Sequence, residues 1–188
     1  MCRMSEFVVH DAIVPALTAT TKEGVIREMV QSLQTAGNFA GCETDDIVRA
    51  IMRREQLGST GIGRAIAIPH TKHGSVDKLV GTVALSREGV TFESIDGQLV
   101  HVLVLLVSPQ DRPGDHLRAL ENVVRSMRND EFVRALRQAQ TPRRCLELAG
   151  ARRPAKQQSK IVTGKLEMRN TKPAMNGVRV WGFWSFAF

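Results

Sequence analysis

Val102-Leu103-Val104-Leu105-Leu106-Val107 is a run of six apolar residues with no polar interruption. Successive side chains of an extended chain point to opposite faces, so such a run folds stably only where both faces are covered. Its length suits a strand and falls far short of the roughly 20 residues a membrane-spanning helix needs. The chain therefore requires flanking elements that can be laid on two sides of a sheet.

The neighbouring segments supply them. Thr20 and Glu23 match an S/T-x-x-E capping box, and Val25, Ile26, Met29, Val30 and Leu33 follow at helical spacing until Gly37. A second helix is predicted from Thr44, with Ile47, Val48, Ile51 and Met52 as its stripe and Arg53 and Arg54 near its C-terminal end. Ala65 to Ile68 reads as a short buried strand that Pro69 ends, after a loop of small residues from Gly58 to Gly63. Val80 to Leu85 reads as another strand, and Leu99 to Val107 as the central one. Asp11 to Leu17 is an edge strand or docking segment. After the loop Ser108–Gly114, a helix is predicted from about Asp115 with Leu117, Leu120, Val123, Val124 and Met127 inward. Shorter helices follow over about Asp130–Gln138 and from Thr141-Pro142. The expected class is α/β, a mixed β-sheet with helices on both faces, in a single domain.

Charge places the domain boundary. The whole chain carries +7, yet residues 151–188 hold eight basic residues against one acid, leaving 18 of each sign in residues 1–150. The body, 1–150, is thus no footprint for a nucleic acid. The tail, 151–188, is basic, loses periodicity and ends in five of the chain's nine aromatics. It reads as a flexible extension, either a basic arm for acidic partners or, as the preferred reading, a segment without a role, because its terminal aromatics have no evident core to join. Cys2, Cys42 and Cys145 are too few and too scattered for a disulfide framework, so reduced thiols are expected. Met1 to His10 lacks a signal-peptide pattern, and a cytoplasmic protein without membrane insertion is expected.

The chemistry concentrates at Gly61-Ile62-Gly63-Arg64-Ala65-Ile66-Ala67-Ile68-Pro69-His70. Proline fixes its own φ and biases Ile68 toward extended geometry, which holds the histidine at a strand end. An imidazole titrates near neutrality and so offers a neutral nucleophilic nitrogen at cellular pH. The glycine-rich stretch lacks the Gly-Lys-Ser/Thr ending of a phosphate-binding P-loop and leads into a strand rather than a helix. A zinc site built from His70, His73 and His116 has no carboxylate signature behind it. No metal or cofactor is expected. His73 reads as a surface residue, and His10 and His101 as structural.

Ser59 to Lys72 resembles the S-T-G-I-G-x-G-I-A-I-P-H-G-K pattern of enzyme IIA domains of the fructose/mannitol type. These belong to bacterial sugar phosphotransferase systems and include a nitrogen-regulatory branch, toward which this chain leans. The resemblance covers most of residues 10–149. Ala65 and Thr71 stand where the pattern has glycine, and Thr71 is expected to narrow access to the histidine. The resemblance implies that His70 accepts a phosphoryl group from an HPr-like phosphodonor protein. It also implies that Arg54 and His116 lie beside the phosphate. Phosphoryl transfer rests on positioning and charge neutralisation, which a guanidinium fork and a helix start can supply. The group would then pass to a IIB domain in sugar uptake, or serve as a signal read by regulatory target proteins. A binding module of the same fold that has lost phosphotransfer is the remaining alternative.

Overall fold

The computed structural model describes residues 4–39, 44–139 and 141–148. The 151–188 tail, Cys2 and Cys42 lie outside the described residues. The elements run α1 (Met4–Phe7), a 3-10 turn (His10–Ala12), α2 (Lys22–Thr35), α3 (Thr44–Gln56), β1 (Gly61–Gly63), β2 (Ile66–Ala67) and β3 (His70–His73). They continue with β4 (Val80–Val90), β5 (Val100–Pro109), α4 (Pro113–Met127), α5 (Asp130–Arg137) and α6 (Pro142–Leu148).

β5 is the centre of a mixed sheet. β4 pairs with it antiparallel, Val80 opposite Val107 through Leu85 opposite Val102. β2 and β3 both pair with it in parallel, Ile66 opposite Val102 and His70 opposite Leu106. They form one line of chain along the same edge, broken at Ile68-Pro69. Pro69 cannot donate to the ladder, but its carbonyl still accepts from Leu106 N–H at 3.0 Å.

The apolar run divides its side chains between two cores as a strand must. Leu103, Leu105 and Val107 pack with α2 and α3 on one face. Val102, Val104 and Leu106 pack with α1, α4, α5 and Cys145 of α6 on the other. The α/β class with helices on both faces is what the chain adopts.

Several boundaries differ from the sequence reading, each for a local reason. The N-cap of α2 is Thr21 rather than Thr20: its extended backbone turns its side chain to accept from Gly24 N–H, while Glu23 pairs with Arg27. Asp11–Leu17 forms no strand, although Val14 exchanges backbone bonds with Val83 and Leu85 and docks the segment along β4. Gly61–Gly63, expected as loop, is a strand antiparallel to β2. Ala65 is outside the strand it was assigned to, because Arg64 and Ala65 take left-handed φ values of 57° and 63° and make a turn. Pro69 does not end extended structure: β3 begins one residue later.

α4 starts at Pro113, with proline in the first turn where its missing N–H costs nothing. Its buried face is His116, Ala119, Val123 and Met127, and Leu117 is 66% exposed. Leu120 and Val124, also expected inward, are partly buried against the same core, so Leu117 alone departs from the expected stripe. Thr71, expected to narrow access to His70, is its neighbour on β3 and is itself buried. Adjacent strand residues face opposite sides, so its methyl and hydroxyl lie away from the histidine.

Candidate functional site

His70 opens β3 and is half-buried. Its Nδ1 lies 2.8 Å from the carbonyl oxygen of Ile68. A carbonyl can only accept, so Nδ1 carries the ring proton and the lone pair sits on Nε2. Arg54 confirms the assignment from the other side: its Nε–H donates to His70 Nε2 at 3.2 Å. The same guanidinium donates through Nη1 to the Gly58 carbonyl at 3.0 Å, which ties the last turn of α3 to the loop before β1.

That loop is held from below by Glu55. This buried carboxylate accepts from Thr60 N–H at 3.0 Å and from the Thr60 hydroxyl at 2.7 Å. Lys22 stands 3.3 Å from it and balances its charge. Consecutive residues of α3 thus serve opposite purposes, Arg54 reaching His70 and Glu55 anchoring the loop that Arg54 grips.

His116 comes from the first turn of α4 and is buried. Its ring centroid is 5.4 Å from that of His70, the planes tilted by 52°. Its Nδ1 is 2.7 Å from Ser108 Oγ at the end of β5. Arg112, the N-cap of α4, gives no side-chain bond to the first-turn N–H groups, so this helix end keeps donors for an anion.

Both imidazoles are biased toward the neutral form. Burial lowers the His70 pKa, and the Arg54 guanidinium lowers it further, against the opposing pull of the Ile68 carbonyl. His116 is lowered to about 4, by burial first and then by His70 and Lys72. At pH 7 the site therefore presents an unprotonated nitrogen flanked by fixed cationic groups. That arrangement attracts an anion without charging its own nucleophile.

All three residues named from the sequence, His70, Arg54 and His116, come together here from three separate elements. Sequence reasoning missed Ser108, Glu55 and the Ile68 and Gly58 carbonyls. Backbone acceptors leave no mark in a sequence, and Ser108 was read only as the start of a loop. Glu55 follows Arg54 in the sequence as an ordinary acid, with nothing to show that it is buried. Of the residues set aside, His10 pairs with Asp11 at the surface, and His101 Nδ1 donates to the Ser86 carbonyl at 2.9 Å. His73 accepts from Ser75 N–H at 3.3 Å in the turn after β3.

The family model described as the phosphoenolpyruvate-dependent sugar phosphotransferase system, EIIA 2, matches residues 6–149. A nitrogen regulatory protein of Bradyrhizobium diazoefficiens is 32% identical over 134 residues, 71% of this chain and 86% of that protein. The fructose-specific EIIABC component of Bacillus subtilis is also 32% identical, over 139 residues, 74% of this chain but only 22% of that longer protein. Among solved structures, the nitrogen regulatory protein IIA-Ntr of Neisseria meningitidis superposes with a TM-score of 0.71 at 25% identity. That superposition covers 78% of this chain and 98% of the other.

Proposed function

The chain belongs to the EIIA 2 family of the phosphoenolpyruvate-dependent sugar phosphotransferase system, and on that premise we propose that His70 is its phosphoryl acceptor. The observation that carries the reading is the pair of bonds on one ring: Nδ1–H to the Ile68 carbonyl and Nε2 facing the Arg54 guanidinium. The Nε2 lone pair attacks the phosphorus of a donor protein's phosphohistidine. The new N–P bond forms as the donor's N–P bond breaks, and the donor imidazole leaves with the electron pair. Nδ1 keeps its proton throughout, so no base is needed. Arg54 moves from the lone pair to the phosphoryl oxygens, and His116 with the start of α4 takes up the remaining charge.

A protein donor must reach this ring, and exposed apolar side chains stand beside the proposed stabilisers. Leu57 follows Arg54 by three residues and is 86% exposed, and Leu117 is adjacent to His116. Such a rim suits docking of an HPr-like protein and, in the second step, of a IIB domain or a regulatory target. No helix among the described residues is long and apolar enough to cross a membrane. Likeness to a nitrogen regulatory protein along most of that protein's length supports the regulatory reading, in which phosphorylated and free forms bind different targets. Transport coupling is the second reading, supported by the equal identity to the fructose-specific protein. The 151–188 tail has no part in either, and a chain ending at Gly150 is expected to keep phosphate acceptance.

Incubation with phosphorylated donor protein tests the reading. An acid-labile, base-stable label that disappears in His70→Ala is expected. A label that survives this substitution, or none on the wild type, contradicts it. Onward transfer to a purified IIB domain would favour transport, and a stable label with no onward transfer would favour regulation.

A further inference from the structure

The strongest feature outside the histidine site lies at the opposite end of β5. His101 and Ser108 are both on that strand, seven residues apart, which places this region about 20 Å from the phosphoryl site. Two cavities meet there. One, of about 530 Å³, is lined by Arg64, Arg134 and Arg137 and by Gln138. The other, of about 230 Å³, shares Arg137 and Gln138 and adds Arg87, Ser86 and His101.

Four guanidinium groups thus line two adjoining hollows. Among the described residues Asp130 is the one carboxylate in either lining, and it is already engaged by Arg64. Arg87, Arg134 and Arg137 have no ion-pair partner among the described residues, and here three such cations face adjoining hollows. Arg134 and Arg137 occupy the last turn of α5, where their positive charge complements the negative end of the helix. Arg64 is held at the rim with left-handed backbone, φ 57°, its N–H bonded to Asp96 Oδ2 at 2.8 Å.

We propose that this double cavity binds a small molecule carrying two phosphate groups, one in each lobe. Arg134 takes one phosphate, Arg87 and Ser86 take the other, and Arg137 bridges them, while Arg64 holds Asp130 and the Met127 carbonyl at the rim. Guanidinium forks match phosphate oxygens in bidentate geometry. Among the described residues neither lobe is lined by phenylalanine or tryptophan, and the one ring present, His101, is held by its Nδ1 bond to the Ser86 carbonyl, while Gln138 offers both a donor and an acceptor to sugar-like hydroxyls. The chain's own tail has the wrong sign to fill the site, with eight basic residues against one acid.

Calorimetric titration of the full chain with fructose 1,6-bisphosphate, fructose 6-phosphate and inorganic phosphate tests this at one fixed ionic strength. The bisphosphate is expected to bind at least tenfold more tightly than the monophosphate. Arg87→Ala and Arg134→Ala should each reduce bisphosphate affinity to the monophosphate level, and Arg137→Ala should weaken both. These side chains are exposed, and circular dichroism should report an unchanged fold. His70→Ala should bind the bisphosphate as wild type does, which separates this site from the phosphoryl site. Equal affinity for the three probes, no binding at millimolar concentration, loss of binding in His70→Ala, or displacement of the bisphosphate by an acidic peptide would each overturn the proposal.

Discussion

Arg54 and His70 meet through the lone pair that the proposed reaction uses: the arginine Nε–H donates to His70 Nε2 at 3.2 Å. In the unphosphorylated state the guanidinium thus marks the nucleophilic nitrogen and holds the ring against the Ile68 carbonyl. The contact must open when phosphorus arrives, and the same cation then faces phosphoryl oxygens. Its value lies in the charged state, since a neutral imidazole has little claim on a guanidinium.

From this relationship, Arg54→Ala is expected to slow phosphoryl acceptance by about a hundredfold, the scale of losing one charge-stabilising donor. Arg54→Lys should recover part of that loss, because it keeps the charge but not the fork. Rapid-quench measurement of labelled protein with a fixed phosphodonor reads both. Folding stability should change little in either variant, since Arg54 is half-exposed.

Stability should fall on acidification through the histidine pair. The folded-state pKa of His116 is depressed to about 4. Below about pH 6.5 the unfolded chain binds a proton that the folded chain refuses. Stability is therefore full at pH 7 and is lost as pH drops from about 6.5 to about 4, by about 3 kcal/mol from this residue. His70, also lowered, acts in the same direction. Urea denaturation from pH 7.5 to 4 should show this slope, and His116→Asn should flatten it. Phosphoryl acceptance should be flat from pH 8 to 7 and decline only at pH values below the ordinary histidine range.

Ser108 supplies a contact that only the fold reveals. Ser108→Ala leaves the buried Nδ1 of His116 without its partner at 2.7 Å. The expected cost is about 1–3 kcal/mol in urea unfolding, with slower phosphoryl acceptance as the ring loses its fixed orientation. Ser108→Thr, which keeps the hydroxyl, should restore the acceptance rate more fully than stability.

Ala65 tests backbone strain. It sits at φ 63°, where a Cβ is unfavourable, and glycine occupies this position in the pattern the sequence resembles. Ala65→Gly should stabilise the protein by about 1 kcal/mol, read as a higher urea midpoint at unchanged slope. Phosphoryl acceptance should be unaltered, because the turn lies beyond the two buried residues of β2 from His70.

Much of this was legible in the chain itself, and the exceptions share a cause. The apolar run of β5, strand-sized and bounded by polar segments, favoured a strand covered on both sides, and α2 and α3 carried their stripes openly. β1 and β3 were hidden because glycine and proline mask extended structure: Gly61–Gly63 looks like loop, and Pro69 looks like an end. The stripe of α4 was legible from Leu120 onward, but its first turn was not, because Pro113 reads as a loop residue and His116 rather than Leu117 is the buried side chain there. His70, Arg54 and His116 could be named because each is a side chain with distinctive chemistry, the latter two through family resemblance. The Ile68 carbonyl that selects the tautomer could not, since every residue has one. Burial of Glu55 beside the exposed end of α3 depends on the return of Thr60, five residues later, which no helical periodicity contains.

Nitrogen-15 NMR of the His70 ring, recorded before and after phosphorylation, bears most directly on the central claim. At pH 7 the free protein should show a protonated Nδ1 and an unprotonated Nε2, and the phosphorylated protein should show phosphorus coupling at Nε2 of that ring. A ring protonated on both nitrogens at pH 7, or phosphorus bonded to Nδ1 or to another histidine, would contradict it.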